Sequence, residues 1–244
     1  MKKIAVSAIS YINTLPFIYG LKASSIINEI DVIISTPAQA ASDLLSKKTQ
    51  IGIVPAAILP QLGMSSIISD FCIGATSNVD SVLICSNIPI KEVKHIFLDS
   101  ESRTSVLLSK ILLQNYWKTN PSFHSFSIKE ESINYSKTYL LIGDKALVHK
   151  GSFRYVYDLA QCWIDYTSLP FVFACWCSNV NLPHSFIQSL NDAFSFGISN
   201  LEKSLDGVKL PIDKTSALNY LTNNISYCLD LDKIKGLNKF ISFI

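Results

Sequence analysis

Ser10-Tyr11-Ile12-Asn13-Thr14-Leu15-Pro16 is a polar stretch that separates a predicted first strand, residues 3–8, from an apolar run, residues 17–21. A polar corner at the carboxyl end of a strand is where open α/β sheets place their ligands. The amide of Asn13 can donate and accept hydrogen bonds at any ordinary pH, but Asn is also a common turn residue. The stretch therefore predicts either a ligand-binding corner centred on Asn13 or a turn that only joins two elements.

Strand-like and helix-like segments alternate along the chain, which predicts the α/β class. Thr36 and Pro37 are typical of a helix start, and apolar residues at helical spacing predict another helix over residues 104–116. The chain after residue 183 is predicted to be helical. The other predicted strands are apolar or β-branched runs at residues 31–35, 50–54, 67–75, 80–85, 93–98, 139–142 and 171–176.

The order of these segments predicts two lobes. We expect lobe 1 to comprise residues 1–86 together with 173–244, and lobe 2 to be an insertion of residues 87–172. Strands near residues 80–86 and 171–177 are predicted to cross between them. A cleft between two lobes is a favoured site for a small ligand.

Composition and charge exclude several functional classes. The 244 residues are 48% hydrophobic with a net charge of +2 and no basic block, which argues against a nucleic-acid partner. No apolar run approaches about 20 residues, so no membrane span is expected. The interrupted apolar stretch after Met1 favours a first strand over a signal peptide, which predicts a cytoplasmic protein. The six cysteines lack C-x-x-C or metal-ligand spacing, so we expect buried free thiols, no metal and no cofactor.

Two further polar turns follow predicted strands. Ser102-Arg103-Thr104-Ser105 precedes an apolar helix, where backbone N–H groups, hydroxyls and a guanidinium can bind an anion. The alternative is a capped helix with a solvated Arg103. Gly143-Asp144 follows an apolar strand, and Gly there permits a ligand to approach the backbone, although an ordinary helix cap fits as well.

Several short motifs recur in the order of a known family and together resemble chorismate dehydratase of the futalosine route to menaquinone. The resemblance covers roughly residues 3–177. It departs from the family pattern at Gln50, Ala160 and Ser168. The motifs are residues 10–16, Ile53-Val54-Pro55, residues 102–105, residues 141–144, Tyr157-Asp158-Leu159 with Trp163, and residues 169–174.

The resemblance implies a two-lobed fold like that of type II periplasmic binding proteins, with a ligand cleft between the lobes. It also implies a hydro-lyase that removes water from chorismate to give 3-[(1-carboxyvinyl)oxy]benzoate. The turn of Ser102, Arg103, Thr104 and Ser105 is then the candidate cradle for a substrate carboxylate. Ser81 is a candidate donor from the cleft floor.

The resemblance also assigns candidate roles in the reaction. Asn13 is expected to hydrogen-bond the departing hydroxyl or to orient the ring. The base is either Asp144 or the enolpyruvyl carboxylate of the substrate itself, and the scarcity of general bases in the motifs favours the substrate. A related 1,4-dihydroxy-6-naphthoate synthase, a non-catalytic solute-binding protein and an interaction module are the alternatives.

Overall fold

The computed structural model describes residues 3–99, 102–127 and 132–244, which form two β-sheets. In spatial order, the first sheet contains β11 (Ser226–Cys228), β4 (Ile67–Ala75), β10 (Phe171–Ser178), β3 (Ile51–Pro55), β1 (Ile4–Ile9) and β2 (Ile30–Ser35). The second contains β7 (Ser122–Phe126), β6 (His95–Asp99), β8 (Thr138–Ile142), β5 (Val82–Ser86) and β9 (Tyr155–Asp158).

Each sheet has a parallel core with antiparallel additions. In the first sheet β1 runs parallel to β2 and β3, whereas β10 is antiparallel to β3 and β4. In the second sheet β6 runs parallel to β7 and β8, whereas β5 is antiparallel to β8 and β9. Parallel strands align their carboxyl ends, so the loops after β1, β3, β6 and β8 are available to form one site.

The start of α2 is capped as predicted, because the Thr36 hydroxyl accepts the Gln39 N–H at 3.3 Å. Helices in the described ranges connect the strands of both sheets. Their bounds are α1 (Leu15–Ala23), α2 (Pro37–Leu45), α3 (Leu59–Leu62), α4 (Arg103–Asn115), α5 (Gly143–His149), α6 (Leu159–Thr167), α7 (His184–Ile198), α8 (Leu201–Ser204), α9 (Lys214–Asn223) and α10 (Leu231–Ile241).

The predicted strands all occur, with ends shifted by at most two residues, which confirms the α/β class. Sequence reasoning missed β7, β9 and β11. The prediction that the chain after residue 183 is helical is therefore wrong at β11. All three are edge strands of three to five residues, too short and too solvated to show a clear apolar alternation.

The two predicted crossing strands each pair within one sheet. β5 pairs with β8 and β9 of the second sheet, and β10 pairs with β3 and β4 of the first. The chain passes from one sheet to the other over residues 76–81 and 159–170. The division into lobes of 1–86 with 173–244 and 87–172 stays a prediction, because pairing assigns strands to sheets rather than residues to folding units.

An aromatic cluster holds the start of α1 against the first sheet. The Phe17 ring lies 4.8 Å from Phe194, 5.6 Å from Trp176 and 5.3 Å from Tyr227, measured between centroids. Helix α7 approaches closely because of Gly197, where a Cβ atom would lie 1.8 Å from the Pro16 carbonyl oxygen. Burial of aromatic side chains supplies much of a core's stability, so the polar stretch at residues 10–16 is anchored at its carboxyl end.

All six cysteines are free. Cys72, Cys85, Cys175 and Cys177 are buried as predicted, whereas Cys162 is half-buried and Cys228 is exposed at the end of the short edge strand β11. The described residues contain no helix long and apolar enough to cross a membrane. No group of three or more histidine, cysteine or acidic residues in the same ranges is placed to hold a metal ion.

Candidate active site

A cavity of about 70 Å³ lies between the two sheets, at the carboxyl ends of β1, β3 and β8. Five of the seven predicted site residues line it: Asn13, Ser81, Ser102, Thr104 and Ser105. Arg103 and Asp144 do not belong to the lining. The remaining wall is Ile9, Tyr11, Thr14, Pro37, Pro55, Ile73, Val79, Val82, Ile142, Gly143, Phe173 and Ala174.

Asn13 is held by two tyrosines from the carboxyl-terminal part of the chain. Its side-chain Nδ2 donates to the Tyr220 hydroxyl at 3.2 Å, and its backbone carbonyl accepts from the Tyr227 hydroxyl at 3.0 Å. Tyr220 lies on α9 and Tyr227 on β11. Asn13 is thus fixed in both its backbone and its amide, which is more than a turn residue requires.

Tyr220 connects Asn13 to Ser81. Its hydroxyl donates to Ser81 Oγ at 2.8 Å, and the Ser81 carbonyl in turn accepts from Gly143 N–H at 2.7 Å. Burial raises the pKa of Tyr220 well above its usual value, although the bonds to Ser81 and Asn13 oppose this effect. The phenol is therefore protonated at neutral pH and acts as a hydrogen-bond donor, not as a base.

The amino terminus of α4 forms the opposite wall. Ser102 is the N-cap, and its hydroxyl accepts from Ser105 N–H at 3.1 Å. The Thr104 hydroxyl accepts from Ala57 N–H at 3.1 Å and so joins the second sheet's side of the cavity to the first. The Ser105 hydroxyl has no hydrogen-bond partner among the described residues, so it is available to a ligand.

Arg103 is exposed at the first position of α4. It lies between cavity-lining neighbours but does not contribute to the lining itself. Successive helical residues point about 100° apart, so Arg103 can face solvent while its neighbours face the cavity. This placement fits the alternative of a capped helix with a solvated Arg103. A role for Arg103 as a carboxylate clamp stays a prediction without geometric support.

Asp144 bridges the two halves of the site rather than facing the cavity. Its carboxylate accepts from Ile12 N–H at 3.1 Å, 132 residues away in the sequence. Burial raises the pKa of Asp144, and the bond from Ile12 partly opposes the rise. In this arrangement the carboxylate serves as a contact between α5 and the loop after β1.

Gly143 and Tyr11 form a close contact beside this bridge. Gly143 has a φ of +55°, and a Cβ atom placed there would lie 3.0 Å from the Tyr11 ring. Both the backbone conformation and the space therefore favour glycine. The sequence predicted that a ligand could approach the backbone at Gly143. In the structure the group that approaches it is the ring of Tyr11.

The described cavity lining is mostly apolar, and its seven polar side chains are six hydroxyls and one amide. Among the residues that the structure describes, the only ionisable side chain in this lining is the Tyr11 phenol. Sequence reasoning missed Tyr220 and Tyr227, since each is more than 200 residues from its partner Asn13. No local spacing could indicate that pairing.

Comparison with known proteins identifies the family. A family model described as menaquinone biosynthesis matches residues 4–244. The chain belongs to this family. The curated chorismate dehydratase of Thermus thermophilus is 25% identical over 252 residues, which cover 94% of this chain and 91% of that protein.

Solved structures share the fold. Protein AF1704 from Archaeoglobus fulgidus has a TM-score of 0.74 at 14% identity and covers 99% of this chain and 96% of its own. The Candida albicans CA3427 product, which has the generic periplasmic binding protein fold, has a TM-score of 0.65 at 11% identity, covering 99% and 90%. The alkanesulfonate-binding protein SsuA from Xanthomonas axonopodis, bound to MOPS, has a TM-score of 0.60 at 11% identity and covers 99% of this chain and 93% of its own. The periplasmic-binding-protein-like fold expected from the sequence is confirmed.

Proposed function

We propose that the chain is a chorismate dehydratase, a hydro-lyase that converts chorismate to 3-[(1-carboxyvinyl)oxy]benzoate within menaquinone biosynthesis. The observation that carries the proposal is a cavity whose described lining combines apolar walls with seven hydroxyl or amide side chains and includes no carboxylate, imidazole or amine. Chorismate brings two carboxylates of its own, so such a site can bind it without repulsion. Membership of the menaquinone biosynthesis family and the dehydratase relative support the same reaction.

The α4 wall is proposed to bind one substrate carboxylate. Ser102, Thr104 and Ser105 surround the helix amino terminus, where the backbone dipole favours negative charge. Their hydroxyls add donors, and the Ser105 hydroxyl is uncommitted within the described residues. Arg103, by contrast, is not given a binding role, because it is exposed outside the lining.

Asn13 and Ser81 are proposed to act at the reacting ring. Loss of the C3 proton and the C4 hydroxyl makes the ring aromatic, so the reaction is downhill and needs positioning more than driving force. Donors aimed at the departing oxygen stabilise the charge that develops there. Asn13 is the proposed donor to that oxygen, and Ser81 a second donor from the same wall.

The base is proposed to be the enolpyruvyl carboxylate of the substrate. It takes the C3 proton, the C–H electron pair becomes a ring double bond, and the C4–O bond breaks as the newly formed carboxylic acid returns that proton to the departing oxygen, which leaves as water. Asp144, the protein candidate, is engaged by Ile12 N–H and lies outside the lining. A general base must lie within hydrogen-bond reach of its proton.

The variant Asp144→Asn distinguishes the two candidate bases, Asp144 and the enolpyruvyl carboxylate. The amide keeps an oxygen that accepts from Ile12 N–H but cannot take a proton from carbon. We expect turnover within about threefold of the wild type, because an interaction unused in the transition state leaves kcat unchanged. Loss of turnover with chorismate still bound would identify Asp144 as the base.

Incubating the purified protein with chorismate and following loss of water by mass spectrometry tests the activity. Formation of the dehydrated product is expected. Binding of chorismate without turnover would favour the solute-binding alternative. Turnover only of a later pathway intermediate would favour the 1,4-dihydroxy-6-naphthoate synthase. A cytoplasmic location stays a prediction.

We propose that the two sides of the cavity separate to admit the substrate. The cavity of about 70 Å³ is several times smaller than pockets that hold ring-sized ligands. The bonds Ile12–Asp144 and Ala57–Thr104 join the two sides directly. We propose that these bonds form on closure and exclude water from the reacting ring.

A further inference from the structure

We infer that Tyr220 is a positioning residue that sets Asn13 and Ser81 as hydrogen-bond donors toward the cavity. The inference rests on the proposed function, because it concerns how the donors to the reacting ring are oriented. Tyr220 lies on α9, outside the residues 3–177 that carry the sequence resemblance. The C-terminal region thus contributes to the site through a residue that does not itself belong to the cavity lining.

The phenol of Tyr220 has a single proton to donate. A tyrosine hydroxyl donates one hydrogen bond and accepts others. Tyr220 donates to Ser81 Oγ at 2.8 Å, so its oxygen can only accept from Asn13. The Asn13 amide correspondingly presents its nitrogen to Tyr220, with Nδ2 3.2 Å from the phenolic oxygen.

The direction of these hydrogen bonds determines whether Ser81 and Asn13 present donors or acceptors to the cavity. Ser81 Oγ accepts the Tyr220 proton, and its own proton has no acceptor among the described residues, so it is available to a ligand in the cavity. The Asn13 nitrogen has a second proton, and Asn13 also lines the cavity. Both side chains thus offer donors, which suit a ligand of carboxylates, ether and hydroxyl oxygens.

The surroundings of Tyr220 keep this direction fixed. The residue is 3% exposed, so water does not compete for its hydroxyl. Burial raises its pKa, so the proton stays on the phenol at neutral pH. A buried, fully connected polar network orients its members more strongly than exposed pairs do.

Tyr220→Phe removes only the hydroxyl and tests the role. We expect kcat to fall about tenfold, the scale of one to two buried hydrogen bonds, with KM changed by less than about threefold. Tyr139→Phe is the matched control, since Tyr139 is also buried and its hydroxyl accepts from Asn134 N–H away from the cavity. The control is expected to show a comparable drop in melting temperature and an unchanged kcat.

A second set of variants tests whether Tyr220 acts through its two partners. In the Asn13→Ala/Ser81→Ala background, adding Tyr220→Phe should change single-turnover rates by less than about twofold, because a positioning residue has nothing left to position. A further tenfold loss in that background would overturn the inference. An unchanged kcat in Tyr220→Phe alone would also overturn it.

A substrate-free measurement separates this inference from the proposed function. The side-chain amide signals of Asn13 in a ¹H–¹⁵N spectrum, assigned by their absence in Asn13→Ala, should shift and exchange faster in Tyr220→Phe. Unchanged signals would overturn the inference even if chorismate is a substrate. If the wild type does not dehydrate chorismate, the proposed function fails while this measurement still decides the positioning role.

Ser81→Ala provides the same readout if Tyr220→Phe does not fold. Without Ser81 Oγ, the Tyr220 proton loses its acceptor and becomes available to the Asn13 oxygen. The Asn13 amide signals should then shift, since the amide can rotate to present Oδ1. Signals identical to those of the wild type would contradict the network.

Discussion

The two polar turns that face each other across the cavity are built in opposite ways. The loop at residues 10–16 is tied by long-range hydrogen bonds from Ser10 to Ser35, Ile12 to Asp144, Asn13 to Tyr220 and Tyr227 to Asn13. The turn at the start of α4 is organised locally by the Ser102 cap on Ser105 N–H, and within the described part of the chain its long-range bond is from Ala57 to Thr104.

This difference separates two kinds of task. A donor that assists a departing group has to be held in one orientation before the reaction, and long-range bonds supply that constraint. A site for a carboxylate needs available N–H and hydroxyl donors, which a capped helix start provides by itself. We therefore expect changes in the first turn to lower kcat and changes in the second to raise KM.

The largest effect is expected from Asn13→Ala. Turnover should fall by about 10²–10³-fold, the scale for removing one oriented donor, while KM changes little because the carboxylates carry most of the binding. Steady-state kinetics and thermal melting measure both properties. Asn13→Asp should be no better, because a carboxylate cannot donate and repels the substrate. A lower melting temperature with an unchanged rate per folded molecule would make Asn13 a turn residue only.

Gly143→Ala tests the close contact between the start of α5 and Tyr11 in the loop at residues 10–16. A left-handed backbone costs a residue with a Cβ atom roughly 1–2 kcal/mol, and the Tyr11 ring 3.0 Å away would have to move. We expect the free energy of unfolding, measured by urea titration, to fall by about that amount. Gly151→Ala is the control, because nothing lies within 4 Å of its added Cβ atom. Equal stabilities of the two variants would refute the tight contact.

A smaller effect on binding is expected from Ser105→Ala. Loss of one hydroxyl donor to a carboxylate should raise KM about three- to tenfold and leave kcat unchanged. Ser109→Ala is the matched control on the same helix, since the Ser109 hydroxyl donates to Val106 O and does not line the cavity. A fall in kcat without a rise in KM would break the proposed division between the two turns.

The smallest effect is expected from Arg103→Ala. An exposed residue outside the cavity lining should leave KM within about twofold, in line with the small energies of solvated charges. Measurement of KM for chorismate tests whether Arg103 binds a substrate carboxylate. A rise of ten- to a hundredfold would restore the carboxylate cradle that the sequence suggested for Arg103.

Local patterns in the sequence were sufficient for the main elements of the fold. Apolar runs predicted the central strands, and Thr36 predicted the start of α2, because both depend on neighbouring residues. Asn13 and Ser102 were identifiable as polar corners after strands, and parallel strands bring such corners to one edge. The short edge strand β11 was missed because three residues carry too little periodicity.

By itself the sequence determined the α/β class, the alternation of strands and helices, and five residues that line the cavity. Only the tertiary structure decided that Arg103 is exposed, that Asp144 bridges to Ile12, and that Tyr220 joins Asn13 to Ser81. The physical reason is the range of each interaction. Helix starts and strands depend on residues a few positions apart, whereas a hydrogen bond across 207 residues exists only after the sheets and α9 have packed.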